Sequence, residues 1–421
     1  MKHPRYGLIG EKLGHSFSKI IHEQLCAYTY DLIELDKQQV HEFMRRREFA
    51  AINVTIPYKE TVIPYCDSID GAAAAMGAVN TIVNRGGKLC GYNTDFAGAI
   101  YMLRSHGIDL AGRTVLILGT GGTCKTFTAV AEHLGAKEVL RAGRTAAPGV
   151  LDYAAVRERR DIQVILNASP RGMFPHGEEE PLVHLDDHPH LEAVADAVYN
   201  PLRTRLLQEA AARGLKTAGG LTMLVAQAKY AVEHFLNTAI DDARIDEIAR
   251  EILSERSNMV LIGMPSAGKS TLGDLLAART GRRVADMDSI ITERIGMPIA
   301  DFFAQSGEAA FRALEHRVAE ELAQETGIII STGGGAVKDP ANMACLARNG
   351  VILAVDRSLE KLLAGNGRPL SSSPEAVARL YAERMPLYRR YGQAIIDNNG
   401  SASDAADAAL AAYSSIVGGQ L

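Results

Sequence analysis

Residues 263–270 read GMPSAGKS, with the apolar stretch MVLI before them and a helical pattern behind them that stops at Gly281. Glycines at this G-x-x-x-x-G-K-S spacing turn backbone N–H groups toward phosphate oxygens, and a helix N-terminus adds positive potential. Ser266, Ala267, Gly268 and Thr271 line such a cradle, Lys269 reaches the terminal phosphates, and the Ser270 hydroxyl suits Mg²⁺. Downstream, VADMDSI offers Asp286 for the metal shell and Asp288 to face a substrate hydroxyl. FRALE puts Arg312 and Glu315 on one helical face, and Gly333, Gly334 and Gly335 follow the strand-like GIII, where backbone can approach a ligand closely. GNGRPL sets Arg368 between glycine and proline, as expected of a lid that carries a cation to a transferring phosphoryl group, and ERMPLYRRY adds Arg384.

The first half carries a different turn. Gly119, Gly121 and Gly122 follow TVLIL, with Thr120 and Thr123 among them, but Cys124 stands where a dinucleotide fingerprint has a third glycine. The next strand-like run ends in Gly143, Arg144 and Thr145 in place of the acidic residue that holds a ribose 2′-hydroxyl, which favours a 2′-phosphate and so NADP. Upstream lie Ser16 and Ser18 in GHSFS, Asn53, Thr55 and Lys59 in NVTIPYKE, Asn80 in GAVNT and Asp95 in GYNTD. Neutral hydroxyl and amide groups of this kind match a polyol carboxylate, and Lys59 with Asp95 forms a candidate acid/base pair. Singly, Lys59 reads as a solvated loop lysine, Asp95 as a helix cap and Asn80 as a turn former; the series is what argues for a site. The run HLDDHPH, with His184, His188 and His190, lacks cysteine partners and reads as a polar loop and not as a zinc site.

Elements must hold these groups in place. Short β-rich runs alternate with longer helical patterns throughout, as in YGLIG then SKIIHEQLCAY and TVLILG then TCKTFTAVAEHLG. This is how parallel sheets with crossover helices are written, so the fold class is α/β. At 421 residues the chain needs several cores. A composition 47% hydrophobic and 23% charged favours folded domains, and 45 basic against 50 acidic residues, a net charge of −5, argues against a nucleic-acid or membrane-surface partner. Five scattered cysteines without a CxxC pair fit a reducing cytoplasm; no secretory leader and no apolar run of membrane-spanning length is expected. Residues 241–257 are polar, with Ile245, Ile248 and Ile252 at helical spacing, and read as a linker ending in a major boundary near Ser257.

With six motifs in order, residues 258 to about 415 resemble shikimate kinase. That resemblance implies that Asp288, Arg312, Gly333 to Gly335 and Arg384 hold shikimate, that Ser270 and Asp286 serve Mg²⁺, and that Arg368 closes on ATP. From Tyr6 to about Leu236 the sequence resembles shikimate dehydrogenase, further matches being NASPRGM at 167–173, DAVYNPLRTRLL around Tyr199 and GGLTMLVAQA with Gly220 and Gln227. It implies that Ser16, Ser18, Thr55, Lys59, Asn80, Asp95, Tyr199 and Gln227 contact shikimate or 3-dehydroshikimate, with Lys59 as acid/base. Gly119 to Thr123, Arg144, Thr145 and Gly220 then serve NADP. Lys19 and Gly143 depart from that family, which commonly has proline and asparagine there. The implied domains are 1–97 for substrate, completed by helices from about 218–250, a Rossmann domain at 98–217, and a P-loop kinase at 258–421. The expected function is NADPH-dependent reduction of 3-dehydroshikimate and ATP-dependent phosphorylation of shikimate, with homo-oligomerisation left open. The rivals are a quinate/shikimate dehydrogenase using NAD, and a regulator that kept both folds without chemistry; intact Lys59, Asp95, Lys269, Ser270, Asp288 and Arg368 speak against the second.

Overall fold

The computed structural model describes residues 5–14, 16–177, 179–363 and 374–419. Two compact units emerge, one of residues 1–200 and 204–249, the other of 250–420 with 201–203. The first sheet holds β1 (Tyr6–Gly10), β2 (Tyr30–Glu34), β3 (Ala51–Val54), β4 (Ser68–Ile69), β5 (Thr81–Arg85) and β6 (Lys88–Tyr92) in the order β2-β1-β3-β5-β6-β4. Its β1, β2 and β3 run parallel, while β5 is antiparallel to both β3 and β6. The strands β3 and β5 thereby bring Asn53 opposite Thr81, and the site's polar residues onto neighbouring strand ends.

The second sheet holds β7 (Thr114–Leu118), β8 (Glu138–Gly143), β9 (Leu151–Asp152), β10 (Val164–Asn167), β11 (Ala193–Asp196) and β12 (Lys216–Ala218). It is wholly parallel, in the order β12-β11-β10-β7-β8-β9. Every residue of β7, β10 and β11 is buried, as a parallel sheet covered on both faces requires. Because the order reverses beside β7, the turn that follows β7 opens at a topological switch point, where dinucleotides bind in such sheets.

Helix Gly220–Leu236 is buried on almost all sides and lies against helix Asp95–Ser105, the element headed by Asp95. Gly98 makes that approach possible, since a Cβ there would lie 2.9 Å from the Met223 carbonyl oxygen and 3.0 Å from Gln227 Cβ. The stretch 241–257, expected as a linker, contains helix Ala243–Arg256 with Ile245, Ile248 and Ile252 buried, and the division between the units falls inside it, between 249 and 250.

In the second unit, β13 (Asn258–Gly263), β14 (Val284–Asp286), β15 (Ile329–Ser331), β16 (Gly350–Asp356) and β17 (Ala394–Asp397) form a parallel sheet ordered β14-β15-β13-β16-β17. The GMPSAGKS turn leaves the central strand β13 and enters helix Lys269–Thr280, which closes on Gly281 in the left-handed conformation. Substituting Gly98→Ala is expected to destabilise the first unit by about 1–3 kcal/mol through overpacking of the two helices. Urea unfolding measures this, and an unchanged midpoint would contradict the close-approach role.

Candidate active sites

Lys59 and Asp95, 36 positions apart in the chain, meet through a 2.5 Å hydrogen bond from Nζ to Oδ2, with 23% and 15% of their side chains exposed. Lys59 is placed by the turn after β3, where Tyr58 N–H bonds the Thr55 carbonyl and the Lys59 carbonyl accepts from Val79 N–H. Asp95 opens its helix, and Asn93 Oδ1 accepts its backbone N–H at 3.0 Å. The second carboxylate oxygen of Asp95 accepts from Asn80 Nδ2 at 2.9 Å. Asn80 Oδ1 in turn accepts from Thr94 N–H at 2.8 Å and Thr81 Oγ1 at 2.9 Å. Asn53 continues the chain of contacts, donating to Thr81 Oγ1 at 3.0 Å and accepting from Tyr30 Oη at 2.7 Å.

Tyr30 is fully buried, which pushes its hydroxyl well above the usual phenol range, and His22, stacked on it at 3.9 Å, is pushed down to about 3 by burial. Both therefore stay neutral, and the formal charges in this network sit on Lys59 and Asp95. Such a network fixes the carboxylate rotamer while leaving the ammonium edge half open.

The remaining expected substrate contacts fall on adjoining elements. Ser16 Oγ donates to Ser18 Oγ at 3.1 Å at the start of helix Ser18–Leu25, and the Phe17 ring lies 5.4 Å from that of Tyr199. Lys19, the departure beside Ser18, turns outward to Glu23 at 3.5 Å and leaves the two serines undisturbed. Thr55 packs where a Cβ on Gly10 would stand, 2.7 Å from its methyl. Gln227 projects from helix Gly220–Leu236 with its Nε2 donated to the Leu224 carbonyl.

The glycine turn after β7 fits a dinucleotide. Gly119 takes φ 108°, a conformation that glycine adopts without strain, and a Cβ there would come within 3.0 Å of Ser169 N. Gly121 caps helix Gly122–His133, and beside Gly121 and Gly122 the side-chain space is open, so backbone N–H groups can face a pyrophosphate. Cys124, at the position of the third glycine, is buried in the helix and fills the helix–sheet contact. Arg144 and Thr145 follow β8 exposed, and the one carboxylate paired beside that strand end, Asp152 opposite Gly143, accepts the Ala155 N–H as a helix cap. Gly143 is glycine for lack of room: a Cβ would stand 3.0 Å from Thr120 Cγ2 and 3.2 Å from Val150 Cγ1. Gly220 is explained by packing as well, since a Cβ there would collide with the Ala197 carbonyl oxygen.

One functional-looking group has no sequence signal. Asp196, fully buried at the end of β11, accepts from Asn167 Nδ2 and Val198 N–H at 2.9 Å each and from Thr204 Oγ1 at 2.7 Å, while burial pushes its carboxyl up to about 7. It ties the 167–169 loop, which abuts Gly119, to the cap of helix Arg205–Ala212.

In the second unit, Lys269 is buried and donates to the carbonyls of Gly263 and Met264 at 2.9 and 3.0 Å. Gly268 takes φ 94° and Ser266 φ 65°, the bent backbone that aims successive N–H groups at one point. Ser270 Oγ lies 3.1 Å from Asp286 Oδ2, a pair of hard oxygens beside the phosphate turn that fits Mg²⁺. The three glycines after β15 are the meeting point of the acceptor groups. A Cβ on Gly333 would lie 2.5 Å from Asp288 Oδ1 and 3.3 Å from Glu315 Oε1; one on Gly334 would lie 2.7 Å from Pro265 Cδ; one on Gly335 would lie 2.6 Å from Arg312 Nη2. The Gly334 carbonyl accepts from Arg384 Nη1 at 2.9 Å and from Tyr388 Oη at 2.6 Å. Glu315, buried, has its proton affinity raised by desolvation and opposed by Arg312, which donates to it at 2.7 Å. Asp288, Arg312 and Arg384 are thus gathered beside the phosphate turn, while Arg368 lies outside the described residues.

A dinucleotide-dependent oxidoreductase followed by a P-loop phosphotransferase is the class these two folds and sites define. The family described as shikimate dehydrogenase substrate binding domain matches residues 8–82, and that described as shikimate kinase matches residues 265–414. The shikimate dehydrogenase (NADP(+)) of Symbiobacterium thermophilum is 35% identical over 260 residues, spanning 54% of this chain and 87% of that protein. Among solved structures, shikimate dehydrogenase 1 of Peptoclostridium difficile aligns at 33% identity and TM-score 0.55, over 59% of this chain and 97% of that one. A chorismate mutase/shikimate 5-dehydrogenase fusion protein from Clostridium acetobutylicum aligns at 31% and 0.57, over 60% and 97%. A Thermus thermophilus shikimate 5-dehydrogenase in complex with NADP(H) and shikimate aligns at 28% and 0.54, over 59% and 99%. The chain belongs to the shikimate dehydrogenase family through its first unit and carries a shikimate kinase domain behind it.

The raised carboxyl of Asp196 has a measurable consequence. The unfolded chain ionises it near 3.8 and the folded chain near 7, so across that window folding takes up a proton, and each pH unit upward costs the folded state about 1.4 kcal/mol. Asp196→Asn, which keeps the shape and removes the titration, is expected to gain on the parent chain between about pH 4 and 7, by on the order of 4 kcal/mol, and to run parallel above. Hydrogen exchange of β10 and β11 across that range measures this; a constant difference would contradict it.

Proposed function

We infer that this polypeptide performs two consecutive reactions on one ring acid, NADPH-dependent reduction of 3-dehydroshikimate to shikimate and ATP-dependent phosphorylation of shikimate at its 3-hydroxyl. The observation that carries this reading is a polar, carboxylate-bearing site in each of two units that also hold a nucleotide turn: Lys59–Asp95 in the first unit and Asp288 against Gly333 in the second.

Bound NADPH would supply the hydride, and bound ATP with Mg²⁺ the phosphoryl group. In the reduction, Lys59 holds a proton at Nζ, kept there by Asp95, and delivers it to the C3 oxygen as that oxygen becomes an alkoxide. Asn80 keeps Asp95 turned toward Lys59, so the proton donor stays aimed while the substrate exchanges. Ser16, Ser18, Thr55, Tyr199 and Gln227 are assigned to the carboxylate and hydroxyls of the ring. Gly119 to Thr123, Arg144, Thr145 and Gly220 are assigned to the dinucleotide, Arg144 to its 2′-phosphate. Without an acidic residue after β8, NADP is favoured over NAD, and with it the reduction over an NAD-dependent quinate oxidation.

In the phosphorylation, Asp288 accepts the proton side of the acceptor hydroxyl, and Arg312 and Arg384 clamp the ring carboxylate in a two-pronged fashion. The backbone of Ser266 to Thr271 and Lys269 hold the phosphates, and Ser270 and Asp286 would hold Mg²⁺. Arg368 is assigned to cover the transferring group. No described helix is long and apolar enough to cross a membrane, and a cytoplasmic location agrees with five free cysteines.

Paired assays on the purified chain test this, NADPH loss with 3-dehydroshikimate and ADP release with shikimate. Lys59→Ala is expected to lower the reduction about 10²- to 10⁴-fold and leave phosphorylation unchanged. Lys269→Ala is expected to do the reverse. Loss of both activities in either variant, with folding intact, would overturn two independent sites.

A further inference from the structure

Asp196 is a buried titratable group that neither reaction uses. It closes β11 with its side chain shut off from solvent, and its two oxygens collect three donors from three segments. Oδ2 accepts from Thr204 Oγ1 at 2.7 Å, at the cap of helix Arg205–Ala212. Oδ1 is shared: Asn167 Nδ2 and the Val198 N–H both reach it at 2.9 Å. Each of those two donors belongs to an arm of chain that ends at a ligand assignment.

One arm runs to the dinucleotide turn. Asn167 Oδ1 accepts from Ser169 N–H at 3.1 Å and from Ser169 Oγ at 2.6 Å, which folds the loop after β10 back on itself. The loop is anchored to β7 where Ala168 N–H bonds the Leu118 carbonyl at 2.8 Å, and Ser169 N stands 3.0 Å from the place of a Cβ on Gly119. A nucleotide seated on that turn therefore bears on the Asn167 amide through one layer of backbone. The other arm runs to the ring-acid side. The Val198 carbonyl accepts from Gly220 N–H at 3.2 Å, and Gly220 opens the helix that carries Gln227. Tyr199 comes next in the chain, its ring 5.4 Å from that of Phe17, which lies between Ser16 and Ser18.

We propose that Asp196 is a positioning residue that couples the two binding events of the first unit, its shared Oδ1 making order in the dinucleotide arm and order in the ring-acid arm depend on each other. The proposal rests on the dehydrogenase reading above and adds to it a group assigned to neither ligand. Its physical basis is the single acceptor atom. In a buried setting a donor that loses its acceptor carries its full desolvation penalty, so both N–H groups stay on Oδ1, and a ligand that stills one arm leaves the other already placed for its partner. Such coupling is reciprocal and can be read from either ligand. No proton or bond is exchanged.

The test uses the full-length chain and the fluorescence of NADPH, whose dissociation constant is measured without and with saturating shikimate. NADPH does not react with shikimate and reports the first unit alone. In the parental chain shikimate is expected to tighten NADPH about tenfold, a coupling of about 1.4 kcal/mol. Asp196→Ala, which removes the shared acceptor, is expected to bring that ratio to about one. Asp196→Asn is expected to keep it, because Oδ1 still takes both N–H groups and the new Nδ2 donates to the Thr204 hydroxyl, which accepts as well as it donates. A parental ratio of one, or an alanine variant with the parental ratio, would overturn the proposal. So would an asparagine variant without coupling, which would put the effect on the charge and not on the shared atom. Where the alanine variant does not fold, hydrogen exchange on the parental chain decides. NADPH alone is expected to slow exchange at the Val198 amide and shikimate alone at the Ser169 amide, and no change at either would overturn the coupling. A parental chain that fails to reduce 3-dehydroshikimate with NADPH would instead refute the dehydrogenase reading.

Discussion

The 2.5 Å contact between Lys59 and Asp95 is the constraint around which the first unit is organised. An ammonium and a carboxylate in a partly closed cleft lose solvation, and they hold that position only if their remaining valences are met. Asn80 meets one from Asp95, and Asn80 is itself held by Thr94 and Thr81, Thr81 by Asn53, and Asn53 by Tyr30. Beyond Asp95 each link is a neutral hydrogen bond in a buried setting, where satisfied networks rigidify and an unsatisfied member costs on the order of 1–3 kcal/mol. The antiparallel placing of β5 between β3 and β6 makes the chain of contacts possible, because it lines up Asn53, Thr81 and Tyr92 across three strands.

The second unit solves a related problem with backbone. Its acceptor groups come from four separate elements, and the three glycines after β15 are where they converge, with Asp288, Pro265 and Arg312 packed into space that side chains would occupy. The Gly334 carbonyl then collects Arg384 and Tyr388. Removing side chains from three consecutive positions lets a strand end serve as the common wall of the acceptor pocket and the phosphate turn. In both units the chemistry lies at the carboxyl ends of strands, where parallel sheets leave helix N-termini and loops facing one crevice.

Much of this was legible in the sequence because it is local. The phosphate turn, the alternation of strand and helix, and the helix stop at Gly281 each depend on a few consecutive residues. Even Cys124 and Gly143, which depart from the usual patterns, follow from packing once the neighbours are known. What was not legible is long-range. Thr81, Thr94 and Asn398 are ordinary residues in ordinary runs, and only packing of segments distant in sequence reveals their contacts, as it does for Tyr388 on the Gly334 carbonyl. Asp196 reads as one more acid in DAVYNP until burial isolates it. Gly220, which the sequence places with the dinucleotide groups, has a steric reason to be glycine as well, the Ala197 carbonyl, and no sequence run shows that carbonyl beside it. The polar stretch 241–257 shows the same limit: its isoleucines at helical spacing announced a helix, but not that their burial would make it a packed element where one unit passes into the other.

Both units are read as recognising the same small acid, the first releasing what the second consumes. The most direct measurement is the stoichiometry of shikimate binding to the intact chain by titration calorimetry, with NADPH and MgADP, neither of which reacts with shikimate, present to occupy the nucleotide sites. Two shikimate equivalents per chain are expected, falling to one when either nucleotide-side pocket is blocked by substitution. A single equivalent in the unmodified chain would contradict two independent sites for one substrate.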